Sequence, residues 1–450
     1  MSSLSRVLGA LFVSLLLVVP SYAAEQLKVG LAAIDVTPPI GVPLGGYGTP
    51  SRRLSPMDWK GKYKYAFMLK PSTGKRDAIR AKAMVLIKGS EKLLFLSIDL
   101  VAIDKGFKKY VYKKLKKLGF KKENIIVSAT HTHHGPGTLS KKFLWKVIGM
   151  DLYQRKITKR LKQQTVEVAK MAISKAEPAT LHSLKFDAEG IQENRRHVEG
   201  HFDTEMNFLM AKDQNGDWMG GMTNLAIHPT SMRSKDLRYS ADIPGEIERS
   251  FRQKLEGVNK TKRAVTMMFT NGAEGDVRAV HGGERWMTQL AGTLGQQFIT
   301  KLDKAVQIKP VWKAVTKKVF LGLPYLNLPT CAADMGAKGF GKFIMNTIRK
   351  FPLATALPMW TDLTLVQLDG ISMMTWPGEP TTSIGLDLKR AAYQAGAKNA
   401  WVLGLTNHHL AYFVTAQEFY EPGYEGCASF YGPLGGVKII NKYRKMINKK

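Results

Sequence analysis

With 450 residues, 44% of them hydrophobic and 23% charged, the chain is ordinarily globular in composition, has no low-complexity tract and can bury a large core. Its net charge of +31 is an extreme excess of Lys and Arg, which predicts salt-sensitive adhesion to acidic surfaces. Nucleic acid is excluded as the partner, because the chain carries an export signal and no nucleic-acid-binding motif.

That signal opens the chain. Arg6 precedes an apolar run, Leu8–Val19, and Pro20 and Ser21-Tyr22-Ala23 follow. A positive start, about a dozen apolar residues and small residues before the cleavage point predict a secretory signal peptide over residues 1–23. The run is short for a membrane span, and no later stretch reaches that length. Residues 24–450 are therefore expected to be exported, to the periplasm or the medium, with no transmembrane helix. Export permits a disulfide between the only two cysteines, Cys331 and Cys427, but their positions in sequence leave the pairing open.

Leu27–Asp35 reads as a first strand, broken by Thr37-Pro38-Pro39. The glycine-rich stretch Gly41–Gly48 suits a loop that approaches a ligand, or a plain turn. Asp77–Lys88 and Leu93–Asp99 read as two more strands. Lys105–Lys122 then sets Phe107, Tyr110, Val111, Leu115 and Leu118 at near-helical spacing among nine lysines. This basic amphipathic helix either attracts anionic lipid headgroups or lays its apolar stripe on the core. Ile125–Val127 is a short buried strand that runs into His131-Thr132-His133-His134-Gly135-Pro136-Gly137. In extended chain His131 and His133 project to one side and His134 to the other, while Gly135 and Gly137 let backbone come close to a ligand.

Asp151–Lys175 is a long amphipathic helix with Pro178 just beyond it. Asn207–Ala211 and Trp218–Ile227 form a hairpin around Gln214-Asn215-Gly216-Asp217, and its second strand runs into His228. A helix over Asp242–Leu255 is followed by a buried strand, Val265–Thr270, that ends in Asn271-Gly272-Ala273-Glu274-Gly275-Asp276. Trp286–Leu302 is helical, and residues 320–360 are irregular. A strand over Ile371–Trp376, the turn Pro377-Gly378-Glu379-Pro380 and a helix over Thr382–Gln394 precede the last strand, Trp401–Leu405, which enters Asn407-His408-His409. No repeat or linker divides the chain. The expectation is one α/β domain, with a mixed β-sheet core flanked by helices and an active site at strand ends.

Polar residues recur at those strand ends: His131 and His133, His228, Asp276, Glu379, then Tyr412 and Tyr424. Singly each has a bland explanation, as a solvated loop residue, a satisfied core histidine or a packing aromatic. Together, two His and one Glu from separate elements match the ligand set of a catalytic Zn2+ site, which keeps a position open for water and polarises the carbonyl under attack.

The motifs HTHHGPG, NLAIHPTSM, NGAEGDV, WPGEPTTSIG and YFVTAQEFYEPGYEG, in this order and with the opening VGLAAIDVTPPIGVPLGGYG, resemble the neutral/alkaline (non-lysosomal) ceramidase family over essentially the whole chain after the signal. The resemblance implies a zinc held by His131, His228, Glu379 and Tyr412. It implies that Tyr424 hydrogen-bonds the oxyanion, that His133 contacts substrate and serves as acid/base, and that Arg195 belongs to the active site. The implied reaction is attack of zinc-activated water on the amide carbon of an N-acyl sphingoid base, ceramide being the default substrate.

Three features depart from the family pattern. Arg278-Ala279-Val280 follows Gly275-Asp276-Val277 where the family has Ser-Pro-Asn, and His134 stands where the family has Ser. The chain also ends soon after Tyr431-Gly432-Pro433, without the C-terminal immunoglobulin-like domain of longer ceramidases. Arg278, together with Gly135, is a candidate substrate contact, and a long cation there points to an anionic acyl substrate for an amidase or esterase as the alternative reaction. A second alternative is a non-catalytic exported protein that binds anionic lipid. In either enzyme reading the basic surface is expected to hold the protein on anionic membranes.

Overall fold

The structure is a computed structural model that describes residues 25–448 except 198–199, 335, 337 and 354–355, so the expected signal peptide lies outside the described residues. Among the described residues, nine strands make a first sheet. Eight of them are β1 (Lys28–Asp35), β2 (Arg80–Lys88), β3 (Glu91–Ile98), β4 (Ile125–Ala129), β5 (Glu177–Asp187), β6 (Glu205–Asp213), β7 (Trp218–Leu225) and β8 (Thr266–Asn271), in the order β8-β7-β6-β5-β1-β2-β3-β4. Val306–Ile308 pairs along β5. The outer pairs β8–β7 and β3–β4 are parallel and the pairings between them antiparallel. A second sheet runs β9 (Trp312–Phe320), β10 (Trp360–Leu368), β11 (Ile371–Thr375) and β12 (Asn399–Leu403), with β11 and β12 parallel.

Strand alternation tells which layer each face meets. Met84, Leu86, Phe95 and Ile126 of the first sheet share a core with Val366, Met373, Trp401 and Leu403 of the second, so the sheets stack face to face. Their sequence neighbours Ala83, Val85, Leu94 and Val127 point away, onto α1 (Lys105–Leu115) and α2 (Arg155–Ser174). The other half of that face is covered by α3 (Asp242–Val258) and α4 (Glu284–Thr300). The outer face of the second sheet is covered by α5 (Thr382–Gln394) and α6 (Gly435–Ile447). The single α/β domain with a mixed sheet is as expected, and the second sheet enlarges it to four layers.

The structure decides two points the sequence left open, the basic helix and the cysteines, and differs from expectation in others. The apolar stripe of the basic helix, Phe107, Val111 and Leu115, is buried in the core, so it leaves lysines rather than an apolar face at the surface. The helix expected from Asp151 begins at Arg155, because Asp151 is buried and its carboxylate accepts from the backbone N–H groups of Phe67, Met68 and Leu69. The irregular stretch holds two short helices, Leu328–Asp334 and Gly339–Ile348, and Cys331 is disulfide-bonded to Cys427. No helix among the described residues is long and apolar enough to cross a membrane.

The two sheets are tied together at the ends of β4, β8 and β12. Asn407 N–H donates to the Val127 carbonyl (2.7 Å), Gly404 N–H to the Asn271 carbonyl (2.9 Å), and Ser128 Oγ meets Thr406 Oγ1 at 2.7 Å. The functional residues gather at this seam.

Candidate active site

His131 lies two residues past the end of β4 and has φ +73°, an unusual conformation for a β-carbon residue and one that clusters at functional sites. The expected extended alternation therefore does not continue. The turn still brings the His131 and His133 rings to 4.9 Å, and His228, entering from β7, sets its ring 4.6 Å from His131. His131 Nδ1–H donates to the Val101 carbonyl (2.6 Å) and His228 Nδ1–H to the Glu274 carbonyl (3.3 Å). Those bonds leave each Nε2 as a lone pair. Burial, followed by the Arg195 charge, holds His228 well below its ordinary range, so it is neutral.

The two Nε2 atoms are 3.2 Å apart, and Glu379 Oε2 sits 3.1 Å from one and 4.0 Å from the other with no donor of its own. Three buried lone pairs aimed at one another repel unless a cation lies among them, so the donor set fits a metal ion. The three histidine donors His131, His133 and His228 lie within 4.8 Å of one another. His133 Nε2 approaches His131 Nε2 at 3.4 Å, and its Nδ1 is buried without a partner.

Glu379 is fixed by His409, whose Nε2–H donates to Oε1 at 2.9 Å, and by a short parallel ladder that pairs Glu379 with Tyr412. Arg195 fans across the same region. Its Nε–H donates to Glu425 Oε1 (2.9 Å), and its Nη2–H groups to the Gly275 carbonyl (2.7 Å) and the Tyr412 hydroxyl (3.1 Å). Burial, then the Glu379 carboxylate, holds the Tyr412 phenol well above its ordinary range, and Arg195 opposes that shift. The Tyr424 ring stands 5.4 Å from that of Tyr412 and is half exposed. His131, His133, Glu379, His409, Tyr412 and Tyr424 form the floor of a cleft of about 120 Å³, with His228 and Arg195 held against them outside its lining; the upper wall is apolar, including Ile103, Leu139, Trp145, Ile148 and Phe430. The cleft suits an acyl chain lying over a polar reaction centre.

The sequence model described as neutral/alkaline non-lysosomal ceramidase, N-terminal, matches residues 61–285, half of the chain. The chain belongs to this family. Neutral ceramidase B of Dictyostelium discoideum is 22% identical over 85% of this chain and 69% of its own length, and neutral ceramidase A of the same organism is 21% identical over 79% and 65%. The crystal structure of neutral ceramidase from Pseudomonas aeruginosa superposes with a TM-score of 0.75 at 17% identity, covering 94% of this chain and 74% of that one. The likeness in structure is a likeness of fold.

Within this ceramidase-family fold, His131, His133, His228, Glu379, Arg195, Tyr412 and Tyr424 come together, while two expected substrate contacts do not join them. Arg278 points outward, its Nε–H donating to Glu193 Oε1 (2.7 Å) with more than half of the side chain exposed, and it is not among the cleft's lining residues. Gly135 is buried beneath the site. A Cβ there would stand 2.6 Å from the Asp99 carbonyl, so glycine serves loop packing and not the cleft wall. Asp276 is structural too, accepting from Thr382 N–H (2.7 Å) and Asn194 Nδ2–H (3.0 Å). His134 faces away from the cleft, where its Nε2 accepts from the buried Arg52 Nη2 at 2.9 Å.

Two residues were missed. His409 follows β12 and holds Glu379; a histidine just past a buried strand was its only signal. Glu274 follows β8, fully buried with both carboxyl oxygens unpartnered. Burial, then Glu379, raises it well above the carboxylate range.

Proposed function

We propose that this chain is a zinc-dependent amidohydrolase that cleaves the amide of an N-acyl sphingoid base, with ceramide as the default substrate. The observation that carries the reading is the convergence of the His131, His228 and Glu379 lone pairs, two of them from residues that line the floor of an apolar cleft. Membership of the ceramidase family, and relatives named as neutral ceramidases, favour ceramide. Imidazole donors favour zinc over the harder calcium or magnesium.

A zinc ion bound there supplies Lewis acidity, which polarises a carbonyl and makes water acidic near neutral pH. The chain's own residues do the rest. His131, His228 and Glu379 hold the ion in orientations set by Val101, Glu274 and His409, with Tyr412 as the fourth donor. Arg195 positions Tyr412 by donating to its hydroxyl. His133 is neutral, held well below its ordinary range by burial and then by His131, so it can take a proton from the attacking water and return one to the departing amine. The Tyr424 hydroxyl donates to the oxygen on which charge develops. The upper wall takes the acyl chain and excludes water.

The reading extends to location. Residues 1–23 serve as a cleaved signal and 24–450 as one exported hydrolase domain, for which the Cys331–Cys427 disulfide suits an oxidising compartment. The charge of +31 draws it to anionic membranes. Arg278, paired at the surface with Glu193, lends no support to an anionic substrate.

The test is fatty-acid release from labelled ceramide by the chain from residue 24, with and without chelator, beside Glu379→Ala. The expected result is near-stoichiometric zinc, activity lost on chelation and regained with zinc, and no turnover above background in the variant. Bound zinc with ceramide untouched would redirect the substrate class. A chain that binds no zinc would sink the hydrolase reading.

A further inference from the structure

The segment between the histidine turn and α2, Lys141–Gln154, is held in an arrangement that packing within the chain does not account for. Its backbone is clamped from below. Arg53 Nη2–H donates to the Val147 and Ile148 carbonyls (2.7 and 3.3 Å), Gly46 N–H donates to the Gly149 carbonyl (2.9 Å), and the buried Asp151 carboxylate ties its end to residues 67–69. Inward, the Trp145 ring lies 5.0 Å from that of His409, and Trp145, Ile148 and Met150 line the cleft. Outward, the same few residues leave Phe143 75%, Val147 38%, Ile148 39% and Leu152 41% exposed. A fixed backbone that holds four large apolar side chains in water is costly, at about 25 cal/mol for each Å² that could be covered.

The charge around it is one-sided. Lys141, Arg155, Lys156, Lys159 and Arg160 are all exposed, and the single acid between 141 and 160, Asp151, is buried. Apolar side chains fringed by cations, with no exposed carboxylate between residues 141 and 160, match the headgroup boundary of an anionic bilayer: the apolar groups enter the acyl region and the cations meet phosphate. A soluble partner protein would need neither the uniform sign nor the continuity with an apolar cleft.

We propose that Lys141–Leu152 is a docking wedge that seats the mouth of the cleft on an anionic phospholipid surface, so that a substrate moves from the bilayer into the cleft without crossing water. That last step rests on the proposed function; the docking itself does not. The basic α1 is not the inserting element, because its apolar stripe is already used in the core.

The test is co-sedimentation of the chain from residue 24 with vesicles of equal parts phosphatidylglycerol and phosphatidylcholine, at low and high salt. Phe143→Asp/Val147→Asp is compared with Val306→Asp, which changes an exposed apolar residue on a different edge. The double variant is expected to partition about ten- to a hundredfold more weakly, and Val306→Asp as the parent does. Near-ultraviolet circular dichroism and hydrolysis of a short-chain N-acyl amide dissolved as monomer are expected to be unchanged in both, since neither Phe143 nor Val147 lines the cleft. The proposal is overturned if the parent does not bind these vesicles, if the double variant binds as the parent does, or if Val306→Asp weakens binding equally. If the dissolved amide is untouched by every form while the partition difference persists, the docking stands and the hydrolase reading falls.

Discussion

The floor of the cleft and its outer wall are built from different kinds of chain. The floor comes from the turns after β4, β7, β11 and β12, where hydrogen bonds tie two stacked sheets together and the His131, His228 and Glu379 side chains each have a dedicated partner behind a lone pair aimed at the centre. The wall comes from several elements, among them a helical segment pinned by its carbonyls, which adds Trp145 and Ile148 and leaves Phe143, Val147 and Leu152 exposed. Sheets joined at their ends can hold donors to a fraction of an ångström, as chemistry requires. A clamped helical segment fixes only a surface, which suffices for recognising a chain of methylenes.

Substitutions in the floor should therefore change turnover or metal affinity, and substitutions in the wall should change KM or partitioning. The sharpest case is Tyr424→Phe. Removing one oxyanion donor is expected to lower kcat by about a hundred- to a thousandfold with metal content intact, as read by ceramide turnover beside zinc analysis. His409→Gln should weaken zinc binding by about ten- to a hundredfold through loss of the support behind Glu379, as measured by competition with a chelating dye. Ile148→Ser should raise KM for long-chain substrates by about tenfold and leave kcat within a factor of about two; a fall in kcat alone would break the distinction between floor and wall.

The smallest effect lies behind the floor, at His134. Burial, then the neighbouring Arg52, lowers its pKa to about 3, against an ordinary 6.5. The unfolded chain thus takes up a proton that the folded chain refuses. The stability contributed by neutral His134 is full above about pH 6.5 and is lost as pH falls towards 3, at up to about 1.4 kcal/mol per pH unit. His134→Ser should flatten that slope in denaturant titrations between about pH 4 and pH 7.

Much of the floor could be read from the sequence, because a buried strand is a run of apolar residues and its end is marked where the run stops. Ile125–Val127 led to His131 and Val265–Thr270 to the Asn271–Asp276 turn. One strand in each sheet was harder to see. Trp312–Phe320 carries Lys313, Lys317 and Lys318 and is half exposed, which masks its alternation, and Glu177–Asp187 opens on a Glu-Pro pair that reads as a helix terminator. Arg278 shows a different limit. A substitution inside a recognised motif suggested a changed substrate contact, but a three-residue strand, Val277–Ala279, turns that side chain to the outside. His409 could be placed only in three dimensions, because the partnership with Glu379 depends on the ladder between the turns after β11 and β12.

The Cys331–Cys427 bond has a practical consequence for anyone preparing this protein. It closes a separation of 96 residues and joins the helix Leu328–Asp334 to the short helix Tyr424–Cys427, which begins with the tyrosine assigned to the oxyanion. His131, His228 and Glu379 lie outside both helices, whereas the Tyr412 N–H donates to the Ala428 carbonyl beside Cys427. Protein made in a reducing cytoplasm would lack it, together with the roughly 4–5 kcal/mol that a loop of such length can contribute. Such material could load with zinc, pass a metal assay and still hold Tyr424 too loosely to turn over. Metal content and thiol count should be read together before any preparation is judged inactive.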